Sequence, residues 1–347
     1  MKLSEIKFTI PKNAIAKHPA EPRDSSKMLI LDRASGEMKD KKFKNIIDYF
    51  EKGDCLVLND VRVFPAKLDG KKEKTNAKIE VLLLRELKHA ERFWDVIVEP
   101  ARKVRIGNKI YFDNNKFYCE IIDNTTSRGR TVRFSYDGDL HKVIERIGQM
   151  PIPTYIKREP NDDDKDAYQT VFANAEKSRS IAPPTSGLHF TKELLKALDK
   201  KGVRIAYITL NIGQGIFENI EVEDLTKHRM YSEHFEITRE NADIINKSLK
   251  AKRNVFACGC SVARALESSV LTTQTVKPNH GWTDKYIFPP YDFKITKRLI
   301  TNFHPPATTS LLLTTAFAGK ELLFKSYKHA MKSDYRFLAY GDAMLII

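Results

Sequence analysis

Apolar and polar positions change their spacing twice along the chain, and each change marks a new kind of element. The stretch MLILDRASGEM (28–38) is an apolar run, a turn at Ser35-Gly36 and a return, which predicts a strand pair. KNIIDYFEKGD (44–54) predicts a short helix ended by Gly53, because glycine accepts the left-handed cap position. CLVLN (55–59) is continuously apolar, as a strand buried on both faces must be, and it runs out at Asn59 and Asp60.

From residue 65 the runs become short and β-rich: KIEVLLLREL, RFWDVIVEPA, KIYFD, KFYCEIID and GRTVRFSYDG. Turn signals at Asp113-Asn114-Asn115 and Arg128-Gly129 separate them, the pattern of a small barrel or sandwich. LHKVIERIGQM (140–150) predicts a helix, and Pro151 and Pro153 set an extended exit. Beyond that, helices and strands alternate. TKELLKALDKKG (191–202) is amphipathic, with Thr191 as N-cap, Glu193 in the first turn and Gly202 past the end. VRIAYITL, NVFACGCS, KYIFPPYDF, LITNF and FLAYGDAMLII predict strands; VARALESSV and ELLFKSYKHAMKSDY predict helices. The expected fold is α/β: a mixed domain built from both chain ends (1–64 and 151–347) with an inserted β-barrel domain (65–150).

At 347 residues, two domains are the natural expectation. No apolar run approaches the ~20 residues of a membrane helix, and the N-terminus lacks the apolar core of a secretory signal, so the expected compartment is the cytoplasm with no membrane partner. The four cysteines, Cys55, Cys119, Cys258 and Cys260, fit neither a disulfide framework nor a zinc site, and no metal is expected. NDDDKD (161–166) reads as a solvated acidic loop. The formal net charge of +14 fits either a lysine-rich surface or a polyanionic partner; a true nucleic-acid surface should also place arginines and aromatics near the chemistry.

Polar clusters recur at predicted strand ends. TSGLHFT (185–191) sets Thr185, Gly187 and His189 before a helix N-terminus, where a neutral imidazole could act as a base; equally, the ring could fill space beside Leu188 and Phe190. NIGQGIF (211–217) carries Gly213 and Gly215, which permit close backbone approach to a ligand or simply a tight turn. HRMYSEHF (228–235) gathers His228, Glu233 and His234 without the spacing of a zinc protease. Arg264 and Glu267 share a helix face, for a ligand or for a surface ion pair. Asn302 and His304 follow one strand, and Asp342 precedes the last. Polar residues at strand ends of one α/β domain point to a site for a polar small molecule.

Seven blocks in order, PAEPRDSS, GDCLVLNDVRVFPAKLDG, YQTVFA, PTSGLHFT, EDLTKHRMYSEHF, TNFHPP and YRFLAYGDAMLI, resemble the S-adenosylmethionine:tRNA ribosyltransferase-isomerase family of queuosine biosynthesis, over essentially the whole chain. The resemblance implies an α/β domain with an inserted β-barrel. It also implies a reaction: the ribosyl group of S-adenosylmethionine is transferred to a 7-aminomethyl-7-deazaguanine base in tRNAs with GUN anticodons. The group isomerises to the epoxycyclopentane of epoxyqueuosine, and adenine and methionine leave. S-adenosylmethionine is then a co-substrate, no bound cofactor is implied, tRNA is the partner, and the chain is expected to be a monomer. Such chemistry needs a base for the C5′ proton, assistance to departing adenine and hydrogen bonds to the ribose diol. On this reading His189, His228 and Glu233 are the catalytic candidates. Asp60, Arg62, Thr185, Gly187, Gly213, Gly215, Arg264, Glu267, Asn302, His304 and Asp342 bind substrate.

The chain departs from the family pattern at Val61, Pro183, Ser186, Asn211, Ile216, Tyr231, Cys260 and Pro305. Several of these replace a hydroxyl or an imidazole, and asparagine cannot take a proton at neutral pH as histidine can. Three readings therefore stand at this point: an active transferase-isomerase, a drifted relative that binds tRNA or nucleoside with little catalysis, and an unrelated metal-dependent hydrolase.

Overall fold

The computed structural model describes residues 1–113 and 116–347, so Asn114 and Asn115 of the expected turn lie outside the described residues. The first part of the chain supplies β1 (Lys27–Leu31), β2 (Met38–Lys42), β3 (Cys55–Asn59) and the short β4 (Arg62–Val63). Six strands follow: β5 (Lys67–Lys72), β6 (Lys78–Lys88), β7 (Phe93–Glu99), β8 (Lys109–Asp113), β9 (Phe117–Asn124) and β10 (Gly129–Ser135). They close a barrel in the order β10-β7-β6-β5-β8-β9. Helix α1 (Leu140–Ile147) packs Leu140 and Ile144 into the barrel core.

The remainder supplies α2 (Asp164–Ala167), β11 (Ser178–Ser180), α3 (Lys192–Lys200), β12 (Arg204–Leu210), β13 (Glu233–Ile237) and α4 (Arg239–Lys250). It continues with β14 (Val255–Cys258), α5 (Cys260–Ser268), β15 (Asn279–Thr283), β16 (Arg298–Asn302), α6 (Thr309–Ala318), α7 (Lys320–Lys332) and β17 (Ala343–Ile346). A nine-stranded sheet runs β15-β13-β12-β3-β14-β16-β17-β1-β2, and β4 pairs separately with β11. β12, β3, β14 and β16 are mutually parallel, so their C-terminal ends lie at one edge. β17 runs antiparallel to β16 and parallel to β1, joining the chain's two ends.

Alternation along these strands sorts two cores. Leu29, Val57, Ala257 and Met344 face α5, α6 and α7, while Met28, Leu56, Phe256 and Leu345 face α3 and the segment Phe43–Tyr49. Burial on both faces is why these strands read as unbroken apolar runs. No helix is long and apolar enough to cross a membrane among the described residues.

Several elements differ from the sequence-based expectation. Residues 43–49 form a 3-10 helix that ends at Tyr49; Gly53, at φ +90°, shapes the following turn instead of the cap. KYIFPPYDF forms no strand, because Pro289 and Pro290 cannot donate to a ladder; the strand is Asn279–Thr283 upstream. Thr154–Ile156 makes one 3-10 turn on the otherwise extended exit. Asp164 in the acidic run is buried, paired with Arg158 at 2.6 Å and accepting from the Tyr340 hydroxyl at 2.9 Å, so this part of the run is not solvated. α6, TSLLLTTAFA, is apolar all round because most of its circumference is buried, which erases the helical period that would have announced it.

Candidate active site

The C-terminal ends of β12, β14 and β16 open onto a cleft. Ile212, Gly215 and Ile216 follow β12, Gly259, Cys260 and Ser261 follow β14, and Asn302 to Pro305 follow β16. Glu233 at the start of β13, Ala182 to Ser186, and Lys285 to Ile287 complete the walls. Gly259 at φ +98° turns the chain from β14 into α5, so the helix starts at the cleft wall. The first backbone N–H groups of a helix lack intrahelical acceptors and favour negative charge nearby.

Arg264, one turn into α5, forms a buried ion pair with Glu233. The other Glu233 oxygen accepts the Gly213 N–H at 2.8 Å, which is the use the structure makes of Gly213. Burial lowers the Arg264 pKa to about 10, still charged at pH 7. The pair is thus Glu233–Arg264, and Glu267 takes no part in it. Glu267 is buried and accepts from the backbone N–H groups of Lys294, Ile295 and Thr296 at 3.0–3.1 Å. Glu267 fastens the segment after the double proline, outside the cleft, in place of the expected surface pair with Arg264.

His189 occupies a 3-10 turn, Thr185–His189, two residues before the Thr191 cap of α3. Its neighbours Thr185 and Ser186 line the cleft, but its own ring points behind the wall. Nε2 lies 3.2 Å from Asn302 Oδ1, and Nδ1 lies 2.9 Å from Ser26 Oγ. Asn302 Nδ2 donates to the carbonyls of Leu338 and Ala339 at 3.1 and 3.4 Å, which leaves Oδ1 for the ring. His189 therefore donates from Nε2 and accepts the Ser26 hydroxyl at Nδ1. The ring packs on Phe43 with centroids 4.9 Å apart, and burial lowers its pKa to about 4. Asn302, not His189, reaches the cleft.

His304 does line the cleft. Its Nε2 contacts Thr301 Oγ1 at 2.7 Å and Cys260 Sγ at 3.4 Å, its N–H donates to the Tyr327 hydroxyl, and burial lowers its pKa to about 4. His228 is half-buried beside Tyr286, ring centroids 5.1 Å apart, with its pKa lowered by desolvation. Asn211 Oδ1, Arg264 Nε, His228 Nε2 and the Tyr286 hydroxyl are buried beside or in the cleft walls without partners among the described residues.

Four other expected ligand residues lie away from the cleft. Asp60 accepts from Thr209 Oγ1 at 2.7 Å and pairs with Lys177 at 3.3 Å. Arg62 is partly exposed and reaches Glu145 of α1 at 3.9 Å. Gly187 is glycine for packing, since a Cβ there would sit 2.7 Å from Phe172 Cζ. Asp342 is buried and holds the Lys27 and Arg336 N–H groups and the Arg336 guanidinium, joining the two chain ends. Gly215 lines the cleft against Tyr231, where a Cβ would stand 3.3 Å from the ring. Ser186, Ser261, Lys285 and Tyr286 also line it. The aromatic run KYIFPPYDF imitates a strand and so hides Tyr286, and its Pro-Pro pair is the signal for a loop.

Comparisons with known proteins place the chain in a family. The family model described as "Queuosine biosynthesis protein" matches residues 3–346. Relatives called S-adenosylmethionine:tRNA ribosyltransferase-isomerase from Cytophaga hutchinsonii and Chloroherpeton thalassium are 53% and 54% identical, each covered fully along with this chain. The crystal structure of an S-adenosylmethionine tRNA ribosyltransferase from Thermotoga maritima is 30% identical, covers 99% of this chain and 100% of its own, and superposes with a TM-score of 0.56. A match over nearly every residue, together with the α/β sheet and closed barrel, makes this chain a member of the queuosine biosynthesis protein family.

Proposed function

We propose that this chain is an S-adenosylmethionine:tRNA ribosyltransferase-isomerase that builds epoxyqueuosine on 7-aminomethyl-7-deazaguanine in tRNA, releasing adenine and methionine. The observation that carries this reading is identity above 50% over full length to relatives bearing that name. It favours the active enzyme over a drifted binder. S-adenosylmethionine serves as co-substrate without a resident cofactor, tRNAs with GUN anticodons are the partners, and the protein works as a cytoplasmic monomer. Residues 1–64 and 151–347 form the catalytic unit, and 65–150 the inserted one.

Within the cleft, the Glu233–Arg264 pair and the start of α5 suit the methionyl end of S-adenosylmethionine. Arg264 and the helix N–H groups face its carboxylate, and Glu233 faces its cationic groups. The remaining lone pair of Asn302 Oδ1 can accept from a ribose hydroxyl, and His189 is a positioning residue that fixes that oxygen through Nε2. His304, in the cleft and neutral at pH 7, is the acid/base candidate. The unpartnered Asn211, Arg264, His228 and Tyr286 atoms support a polar occupant, because buried polar groups ordinarily find partners. The departures at Asn211 and Cys260 then read as altered contacts: Asn211 keeps an acceptor, and the Cys260 thiol keeps a contact with His304.

The test is direct. The protein is mixed with S-adenosylmethionine and an anticodon stem-loop carrying the aminomethyl-deazaguanine base. Adenine release together with epoxyqueuosine in the digested RNA is expected. A folded protein that binds the RNA and yields neither product would leave the drifted reading in its place.

A further inference from the structure

We propose that the exposed face of β13 and β15, centred on Trp282, is a stacking platform for unpaired bases of the RNA substrate, next to the cleft. Trp282 is 55% exposed, the most exposed of the large hydrophobic side chains, while the chain's other tryptophan, Trp94, is buried in the barrel. Trp282 sits on β15, the edge strand of the sheet, where the backbone ladder does not require an exposed aromatic ring. The ring is held in place from both units of the chain. Arg85 of barrel strand β6 sets its guanidinium 5.3 Å from the ring centroid. His234, directly opposite Trp282 in the register, meets it edge-on at 5.5 Å, and His280 stands 4.7 Å from His234.

Three aromatic or imidazole rings thus share one outward face, while Glu233 and Phe235, at alternate positions of β13, turn inward. Charge on this face is mixed where it is structural and positive where it is free. Arg85 lies 3.8 Å from Asp95, and Lys177 is shared between Asp60 and Glu236. Arg179 is exposed, close enough to His234 to lower its pKa, and has no acidic partner among the described residues. Rings flanked by arginines on a protein of net charge +14 fit the two demands of single-stranded RNA, a π-face for bases and cations for phosphates.

Position decides the occupant. Trp282 precedes Lys285, a residue of the cleft wall, by three positions, a span of at most about 10 Å of chain. The proposal rests on the function proposed above: a base that enters the cleft leaves neighbours in the loop within reach of the ring. The experiment uses the full chain and an anticodon stem-loop RNA carrying the aminomethyl-deazaguanine base, read by tryptophan emission and by titration for Kd. The stem-loop quenches the emission of the wild type. In Trp282→Ala the quench disappears and Kd rises roughly 5- to 100-fold, the range of one lost base–aromatic stack, and Trp282→Phe restores most of the affinity. Unchanged Kd in Trp282→Ala, or equal quenching by a blunt duplex of the stem alone, overturns the proposal. So does a dimer that Trp282→Ala dissociates at unchanged RNA affinity, since the face would then serve a second copy of the chain. Quenching and affinity need no turnover, so a wild type that binds and quenches but releases no adenine sinks the proposed function and leaves the platform standing.

Discussion

Lowering the pH from 7 to 5 should destabilise this protein through His189, and the size of the effect follows from its surroundings. The imidazole is buried, donates to Asn302 and accepts from Ser26, and loss of water around the charged form outweighs the support of the Asn302 bond; its pKa falls to about 4. In the unfolded chain the value returns to about 6.5. Between those values the unfolded state binds the extra proton, so stability rises with pH there and is lost as pH falls from about 6.5 toward 4. At pH 5 one such group costs about 2 kcal/mol relative to pH 7. His304 adds to the same trend, but it faces the open cleft, and its share is smaller. The assay is urea unfolding at pH 7 and pH 5 for the wild type and for His189→Gln, whose amide can still donate to Asn302 without titrating. The wild type should lose about 2 kcal/mol more than the variant between the two pH values. Equal losses in both proteins would mean that His189 is charged or solvated in the folded state, and the positioning role derived from its bonding would fall with that.

Glu267→Ala orphans three backbone N–H groups and should destabilise by about 3 kcal/mol or more in thermal melts, while the folded fraction keeps its KM for S-adenosylmethionine; a raised KM at unchanged stability would restore Glu267 as a ligand residue. Glu233→Gln leaves the buried Arg264 charge unpaired. It should cost about 3–5 kcal/mol and abolish thermal stabilisation by S-adenosylmethionine, measured as Tm with and without the compound. Gly187→Ala drives a methyl against Phe172 and should cost about 1–3 kcal/mol in denaturant melts; no loss would mean the turn yields easily. His304→Gln should lower kcat for adenine release more than it raises KM, and an unchanged kcat would remove His304 from the chemistry.

The parts of the fold legible in the sequence are those whose burial is simple. CLVLN and VRIAYITL are buried on both faces and read as strands, and α3 displays one apolar stripe with Thr191 capping it. α6 was silent because burial all round leaves no period, and residues 285–293 misled because aromatic residues imitate a strand while two prolines forbid one. At the site, the blocks containing Glu233, Arg264, Asn302 and His304 were legible because each ends or begins an element at the sheet's C-terminal edge. The roles inside those blocks were not. Spacing along a helix joins Arg264 to Glu267, whereas the fold joins it to Glu233, thirty-one residues upstream across a sheet and a helix. Likewise nothing in TSGLHFT says which way a ring turns; only Asn302 and Ser26, far away in the chain, decide it.

The place of β17 bears on how the molecule is made. Residues 343–346 fill the gap between β16 and β1, so the hairpin of β1 and β2, made well before them, has no sheet neighbour until residues 343–346 join it. The barrel strands, all between residues 67 and 135, pair among themselves and can associate as soon as they leave the ribosome. During translation the chain should therefore carry a finished barrel beside an open sheet whose apolar strand edges await the four residues of β17. Without residues 343–346 that seam would stay open, exposed to chaperones, proteases and other nascent chains.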